Sequence, residues 1–173
     1  GVLLPSNAGG ANVRAALRAL GDPPGNDVIT IPTSHRRWQY VVGRLDIAAR
    51  PAPPGSQYWL VIIDNRTHNL VSLIGTPIAG EHGAGAGSAW DGGLNNFADK
   101  YAWLAPIAEV QTDDGYHDPG MTVGIPTGSA VSLPFSGVDR DNFLSTPLAP
   151  SDLTVALLME GPDGQAWWAK RLG

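Results

Sequence analysis

The side chains of this sequence that could coordinate a cation lie close together in one acidic segment. The group consists of Asp113, Asp114, His117 and Asp118. Carboxylate oxygens at this spacing on a turn are ligands for a hard cation such as calcium, although the segment lacks the twelve-residue calcium loop. Acidic residues are also the ordinary choice for turns, because their side chains accept hydrogen bonds from local backbone amides. We therefore expect no bound metal or other cofactor, and these four residues are the metal-site candidates.

The other chemistry-bearing side chains form no catalytic motif. None of the 4 histidines occurs in a His-x-His or His-Glu-x-x-His pattern. The glycine-rich run 83–88 breaks G-x-G-x-x-G at its last position, and no Lys-Ser or Lys-Thr pair makes it a phosphate loop. Ser88 lacks the G-x-S-x-G context of a hydrolase nucleophile. A Ser-His-Asp triad is recognised by geometry and stays open, but we predict that the chain is not an enzyme.

Charge is scarce in this sequence. Charged residues make up 16% and hydrophobic residues 43% of the 173 residues, whereas an ordinary soluble domain is about 25% charged. Acids outnumber bases by 16 to 11, and no basic cluster is stronger than His35-Arg36-Arg37. Binding to nucleic acid needs several cations on one face, so we expect none. Cysteine is absent, which excludes disulfides and thiolate chemistry.

Length and patterning predict one domain over residues 1–173, with an N-terminal segment over 1–26. A short helix is predicted over 12–20, with Asn12 as its N-cap and Gly21 as its C-terminal stop. Its apolar face is made of Val13, Ala16, Leu17 and Leu20. No apolar run is long enough to span a membrane. The first five residues are too short and uncharged for a signal peptide, so we expect none in this sequence.

After the helix, the apolar pattern changes to period two or to short continuous runs, which predicts strands. The predicted strands cover 28–31, 38–47, 58–63, 70–74, 105–111, 121–125, 130–135, 153–159 and 165–170. Segment 95–103 is ambiguous between helix and strand. Two hairpins are predicted, one joining 58–63 to 70–74 and one joining 153–159 to 165–170. A long Gly/Ala/Ser loop is predicted over 75–93.

Tryptophans are the most informative surface candidates. The 6 tryptophans are at positions 38, 59, 90, 103, 167 and 168. Trp167 and Trp168 are adjacent in a predicted strand, so we expect them to point to opposite faces and one of them to leave the core. Interfaces favour tryptophan and low charge, so the interface candidates are Trp167, Trp168, Trp90 and Trp38. Exposed tryptophans could also stack on sugar rings, which keeps a carbohydrate-binding module as an alternative.

The strand count predicts an all-β fold, an antiparallel sandwich or barrel that is best described as a single eight-stranded jelly roll with one short N-terminal helix. In architecture and composition the chain resembles the small single-jelly-roll major capsid proteins of icosahedral bacteriophages with an internal membrane, such as those infecting Thermus. The strands that carry the resemblance are 38–47, 58–63, 70–74, 130–135 and 153–159. No specific sequence motif is shared with that family.

The resemblance implies a structural virion protein that assembles with itself and with a second capsid protein around a lipid membrane. Such a subunit needs no basic arm, because lipid separates it from the genome. Few lysines, no cysteine and proline-rich loops are compatible with a thermophilic source, although a GC-rich genome produces much of the same bias. The alternatives are a secreted β-sandwich that binds carbohydrate and, third, an all-β enzyme.

Overall fold

The structure is a computed structural model that describes residues 2–3, 10–21, 39–68, 70–74, 93–106, 123–139 and 148–172. Its strands form two antiparallel sheets of four strands each. Sheet A contains, in spatial order, β1 (Val2–Leu3), β2 (Gln39–Ile47), β6 (Val131–Asp139) and β4 (Ser72–Ile74). Sheet B contains, in spatial order, β5 (Val123–Pro126), β3 (Gln57–Asp64), β7 (Leu153–Glu160) and β8 (Ala166–Leu172). The all-β prediction is confirmed for the described residues.

Strand β3 is buried on both of its faces, from Tyr58 to Asp64. Alternate side chains of a strand point to opposite faces, and those of β3 accordingly enter two separate hydrophobic clusters. One set is Tyr58, Leu60 and Ile62, and the other is Trp59, Val61 and Ile63. A strand that is apolar on both faces needs a covering layer on each side, and this requirement organises the rest of the fold.

The first cluster is the core between the two sheets. Sheet A contributes Val41, Leu45 and Phe135, while sheet B contributes the first set of β3 residues together with Ile125, Leu157 and Met159. The second cluster lies on the opposite face of sheet B. There the sheet is covered by α2 (Gly93–Lys100) and by the 3₁₀ turn Ala102–Leu104, which supply the fully buried side chains of Phe97 and Leu104.

The outer face of sheet A contacts α1 (Gly10–Ala19). Leu17 of the helix is 1% exposed, and Val42, on the face of β2 opposite Val41, is 0% exposed. The Arg44 guanidinium donates a hydrogen bond of 3.3 Å to the carbonyl oxygen of Leu20 just after the helix. Each sheet is therefore covered on its outer face by a short helix, and none of the described helices is long and apolar enough to cross a membrane.

The exposed end of β2 carries a small polar network. The Asp46 carboxylate accepts hydrogen bonds from the Ser132 hydroxyl at 2.8 Å and from Arg44 Nε at 2.9 Å. The pKa of Asp46 lies below its ordinary value. The main cause is the hydrogen bond from Ser132, and the second is the hydrogen bond from Arg44. The Asp46 side chain is exposed to solvent, so water and salt weaken this contribution to stability.

The helix predictions are partly corrected by the structure. Helix α1 begins at Gly10, so Asn12 lies inside its first turn and is not the N-cap. Gly21 follows the helix with φ +96°, as a C-terminal stop requires. The ambiguous segment 95–103 is mostly helical, because Phe97, Tyr101 and Leu104 are spaced to pack on one face of sheet B.

The first predicted hairpin is wrong. Strand β3 lies in sheet B, whereas β4 pairs with β6 in sheet A. Only an isolated bridge between Ile63 and Leu70, with a hydrogen bond of 2.8 Å from Val71 N to Ile62 O, joins the two segments before the chain crosses to the other sheet. One edge of β3 is paired with β7 over its whole length, and the other is paired with β5 only from Gln57 to Leu60, so the bridge at Ile63 is not continued into a ladder with β4.

The remaining strand predictions have mixed outcomes. The second hairpin is confirmed, since β7 pairs with β8. Strand β6 extends to Asp139, four residues beyond the predicted end at 135, because it pairs with β2 and β4 on its two edges. The strand predicted over 105–111 is wrong at its first two residues, which are helical. Its other residues, the strand predicted over 28–31 and the loop 75–92 lie outside the described residues.

We predict that Gly43→Ala destabilises the fold by roughly 1–3 kcal/mol, the usual cost of overpacking a core. Gly43 faces Phe135 across the sheet, and a Cβ at position 43 would overlap the Phe135 ring. Urea unfolding measures the change in the free energy of unfolding. Adding Phe135→Leu should make the double variant less unstable than the sum of the single changes. A Gly43→Ala chain as stable as the parent would contradict this packing.

Candidate functional site

Strand β8, which carries Trp167 and Trp168, is one of the two edge strands of sheet B in the described structure, and β5 is the other. The register of β8 against β7 shifts by one residue, since Met159 pairs with Trp168 whereas Glu160 pairs with Ala166. Trp167 is therefore the extra residue of a β-bulge, and it has no partner in the ladder.

This bulge breaks the alternation of side chains along β8. Trp168, opposite Met159, packs against the cluster between the sheets, and Trp167 packs against that same cluster. Ala166 and Ala169, on either side of the pair, pack against the cluster beneath α2. The prediction that the two tryptophans point to opposite faces is thus wrong, because one extra residue returns the second side chain to the same face.

Each of the two tryptophans has a specific contact that orients it. The indole of Trp168 lies 5.8 Å from the Tyr58 ring, measured between ring centroids, at an angle of 50°. Trp167 lies directly against Gly161, where any Cβ would overlap the indole. Both side chains remain half-buried at the sheet edge. The edge therefore presents two neighbouring, oriented and partly exposed aromatic side chains, which we call the Trp edge.

Helix α2 holds the backbone behind the Trp edge. The Lys100 ammonium donates to the carbonyl oxygens of Trp167 and Ala166, the latter at 3.3 Å. One turn earlier, Asn96 Nδ2 donates to the carbonyl oxygen of Gly164 at 3.4 Å. A bulge disrupts the ladder locally, and the lysine provides a donor to two carbonyl oxygens at this bulge.

A second group of polar side chains lines a small open cavity at the other end of β8. The cavity has a volume of about 110 Å³ and is lined by Ile63, Asn65, His68, Trp103, Pro106, Thr154 and Arg171. We call it the Arg171 pocket. The guanidinium carbon of Arg171 lies over the Trp103 ring, 4.6 Å from its centroid. This stacking orients the cation at the pocket.

A tight turn after β3 positions two residues of the Arg171 pocket. The buried Asp64 carboxylate accepts from the backbone N–H of Arg66 at 2.8 Å and pairs with the Arg66 guanidinium at 3.1 Å. His68, with φ 60°, donates its backbone N–H to the Asp64 carbonyl oxygen at 2.8 Å. Asn65 Oδ1 accepts from the Thr154 hydroxyl at 2.9 Å. These bonds fix the rim of the pocket beside Arg171.

The structure places only some of the predicted site residues. Trp167 and Trp168 lie together at the edge of sheet B. Trp38, Trp90 and the acidic candidates Asp113, Asp114, His117 and Asp118 lie outside the described residues. Within the described part of the chain, no group of three or more His, Asp or Glu side chains is arranged to hold a metal ion. The Arg171 pocket was not predicted, because its lining comes from four separate segments.

Comparisons of the chain with protein-family models, with curated proteins and with solved structures gave no match.

We predict that Lys100→Met lowers the free energy of unfolding by about 1 kcal/mol, because it leaves bulge carbonyls without their donor. The matched control is Lys170→Met, since these are the only two lysines and Lys170 is an exposed residue of β8 itself. Urea unfolding of both variants measures the difference. Equal stability of the two variants would contradict a supporting role for Lys100.

Proposed function

We propose that this chain is a structural subunit that assembles with copies of itself, as the capsid subunit of a virion does. The observation that carries the proposal is the Trp edge. Trp167 and Trp168 are oriented side by side on a free strand, and both keep part of their surface exposed. Tryptophan is enriched among the residues that dominate binding energy at protein interfaces.

The backbone behind the Trp edge favours side-chain contact over strand addition. Lys100 occupies the carbonyl oxygens of Ala166 and Trp167. An incoming strand would have to displace this ammonium before it could pair there, and lysines and bulges at sheet edges oppose such pairing. The proposed neighbour therefore packs against the indole rings and leaves the bulge backbone in place.

The low charge of the chain supports the same proposal. Only 16% of its residues are charged, and depletion of charge is typical of the buried centre of an interface. We propose that the partners are further copies of the chain, a second capsid protein and an internal lipid membrane, with no direct contact to nucleic acid. The net charge of −5 agrees with the last point.

We further propose that the two sheets belong to a single eight-stranded jelly roll. Successive described strands from β2 to β7 lie alternately in sheet A and sheet B. Connections that cross between two packed sheets produce this alternation in Greek-key sandwiches. We propose a virion location for this jelly roll, with a secreted location as the alternative.

The described tryptophans give less support to a carbohydrate-binding module. Trp59 is 3% exposed, and its indole N–H donates to the Glu160 carboxylate at 2.6 Å. Trp103 has Arg171 over its ring, and the other two pack against Gly161 and Tyr58. A sugar platform needs an open aromatic face, and none of these four residues is fully exposed.

We predict that the sedimentation coefficient of the purified chain rises with concentration. Trp167→Ala should weaken this association at least about tenfold, as expected for a central interface residue, while the protein stays folded by circular dichroism. Trp103→Ala is the control, because it removes a half-buried tryptophan from the opposite face of sheet B.

A strict monomer at high concentration would contradict the proposal. Undiminished association of Trp167→Ala would also contradict it, since assembly would then use another surface. Trp168→Ala tests the second tryptophan of the Trp edge in the same way. If Trp168→Ala unfolds the chain, its contact with Tyr58 belongs to the core, and the test depends on Trp167 alone.

A further inference from the structure

The polar groups of the Arg171 pocket are mainly hydrogen-bond donors. Arg171 contributes a guanidinium, His68 an imidazole and Asn65 a side-chain amide. The Asn65 carbonyl oxygen already accepts from the Thr154 hydroxyl, so its Nδ2 group remains for another partner. Among the described residues, the lining contains no aspartate or glutamate. A pocket of donors without acids is suited to an anion.

The cation of this pocket has no internal counter-ion in the described part of the chain. The ion pairs there are Arg44 with Asp46 and Arg66 with Asp64, and neither includes Arg171. Asp152 lies near, since its carbonyl oxygen accepts from Asn65 N at 2.8 Å. Its carboxylate, however, accepts from the backbone N–H of Ala149 at 2.7 Å. Asp64 is likewise engaged with Arg66.

Stacking on Trp103 preorganises the Arg171 guanidinium for binding a ligand. The guanidinium lies over Trp103 at 4.6 Å, which limits its rotation and leaves the in-plane N–H groups free to bind. A guanidinium presents two parallel N–H donors that match the two oxygens of a carboxylate. One such cation balances the single charge of a carboxylate. The cavity of about 110 Å³ is large enough for such a group, given that roughly 10–15 Å³ of such volume is needed to hold one water molecule.

We infer that the Arg171 pocket binds a small carboxylate ligand, which Arg171 holds through its guanidinium and which Asn65 and His68 contact from the turn after β3. The carboxylate could belong to an acidic sugar or to the free end of a peptide. This site is separate from the Trp edge, and the inferred carboxylate binding does not depend on whether the chain assembles.

The test is an NMR titration of the ¹⁵N-labelled chain at constant ionic strength. The probes are the indole N–H of Trp103 and the Nε–H of Arg171. The ligands are acetate, glucuronate and acetyl-Gly-Gly, with inorganic phosphate as the comparison. We expect saturable shifts at both probes with the carboxylates. Tighter binding of glucuronate than of acetyl-Gly-Gly assigns the ligand to the acidic sugars, and the reverse order assigns it to peptide ends.

Arg171→Gln should weaken carboxylate binding at least about tenfold, because it removes the charged donor. Arg50→Gln, an exposed arginine in the connection leading to the far end of β3, is the matched control and should bind like the parent. Arg171→Lys keeps a cation but loses the paired donors, so it should bind more weakly than the parent, and it serves if Arg171→Gln does not fold. Shifts that fail to saturate, equal affinity in Arg171→Gln, or tighter binding of phosphate would overturn the inference.

Discussion

The structure depends on the need to cover both faces of β3. This strand is buried from Tyr58 to Asp64, and burial of its large apolar side chains is worth about 1.5–3 kcal/mol for each of them. One face requires sheet A, and the other requires α2 with the 3₁₀ turn that follows it. Even the polar end of the strand is covered, because the buried Asp64 is paired with Arg66. Both candidate sites lie at places where this covering ends.

Much of the strand content could be predicted from the sequence. The apolar runs that became β2, β3 and β7 end within about two residues of their predicted limits, because side-chain alternation and burial are local signals. The partner of β4 could not be predicted, since a polar turn after β3 favours a hairpin equally well whether or not the edge of β3 is free. One edge of β3 is paired with β7, which is about ninety residues later in the chain, and the other is shared by β5 and the bridge to Leu70.

The two candidate sites also could not be predicted from local sequence signals alone. Adjacent tryptophans in a strand are expected on opposite faces, and only the register shift at Met159 and Glu160 overrides this expectation. Gly161, at the start of the hairpin turn, was the available signal for a bulge, since glycine permits the close approach of Trp167. The Arg171 pocket had no such signal. It requires the turn after β3, the segment after α2 and the distant ends of β7 and β8 to meet.

The bulge connects fold and proposed function, because it brings both indoles to one side of a free edge while Lys100 keeps the backbone there occupied. Hydroxyl-radical footprinting with mass spectrometry of dilute and concentrated protein tests this connection most directly. Oxidation of Trp167 and Trp168 should fall together as the concentration rises, whereas oxidation of Trp103 should stay constant. If the chain assembles while Trp167 and Trp168 are oxidised as readily as in the dilute sample, the Trp edge is not the contact surface.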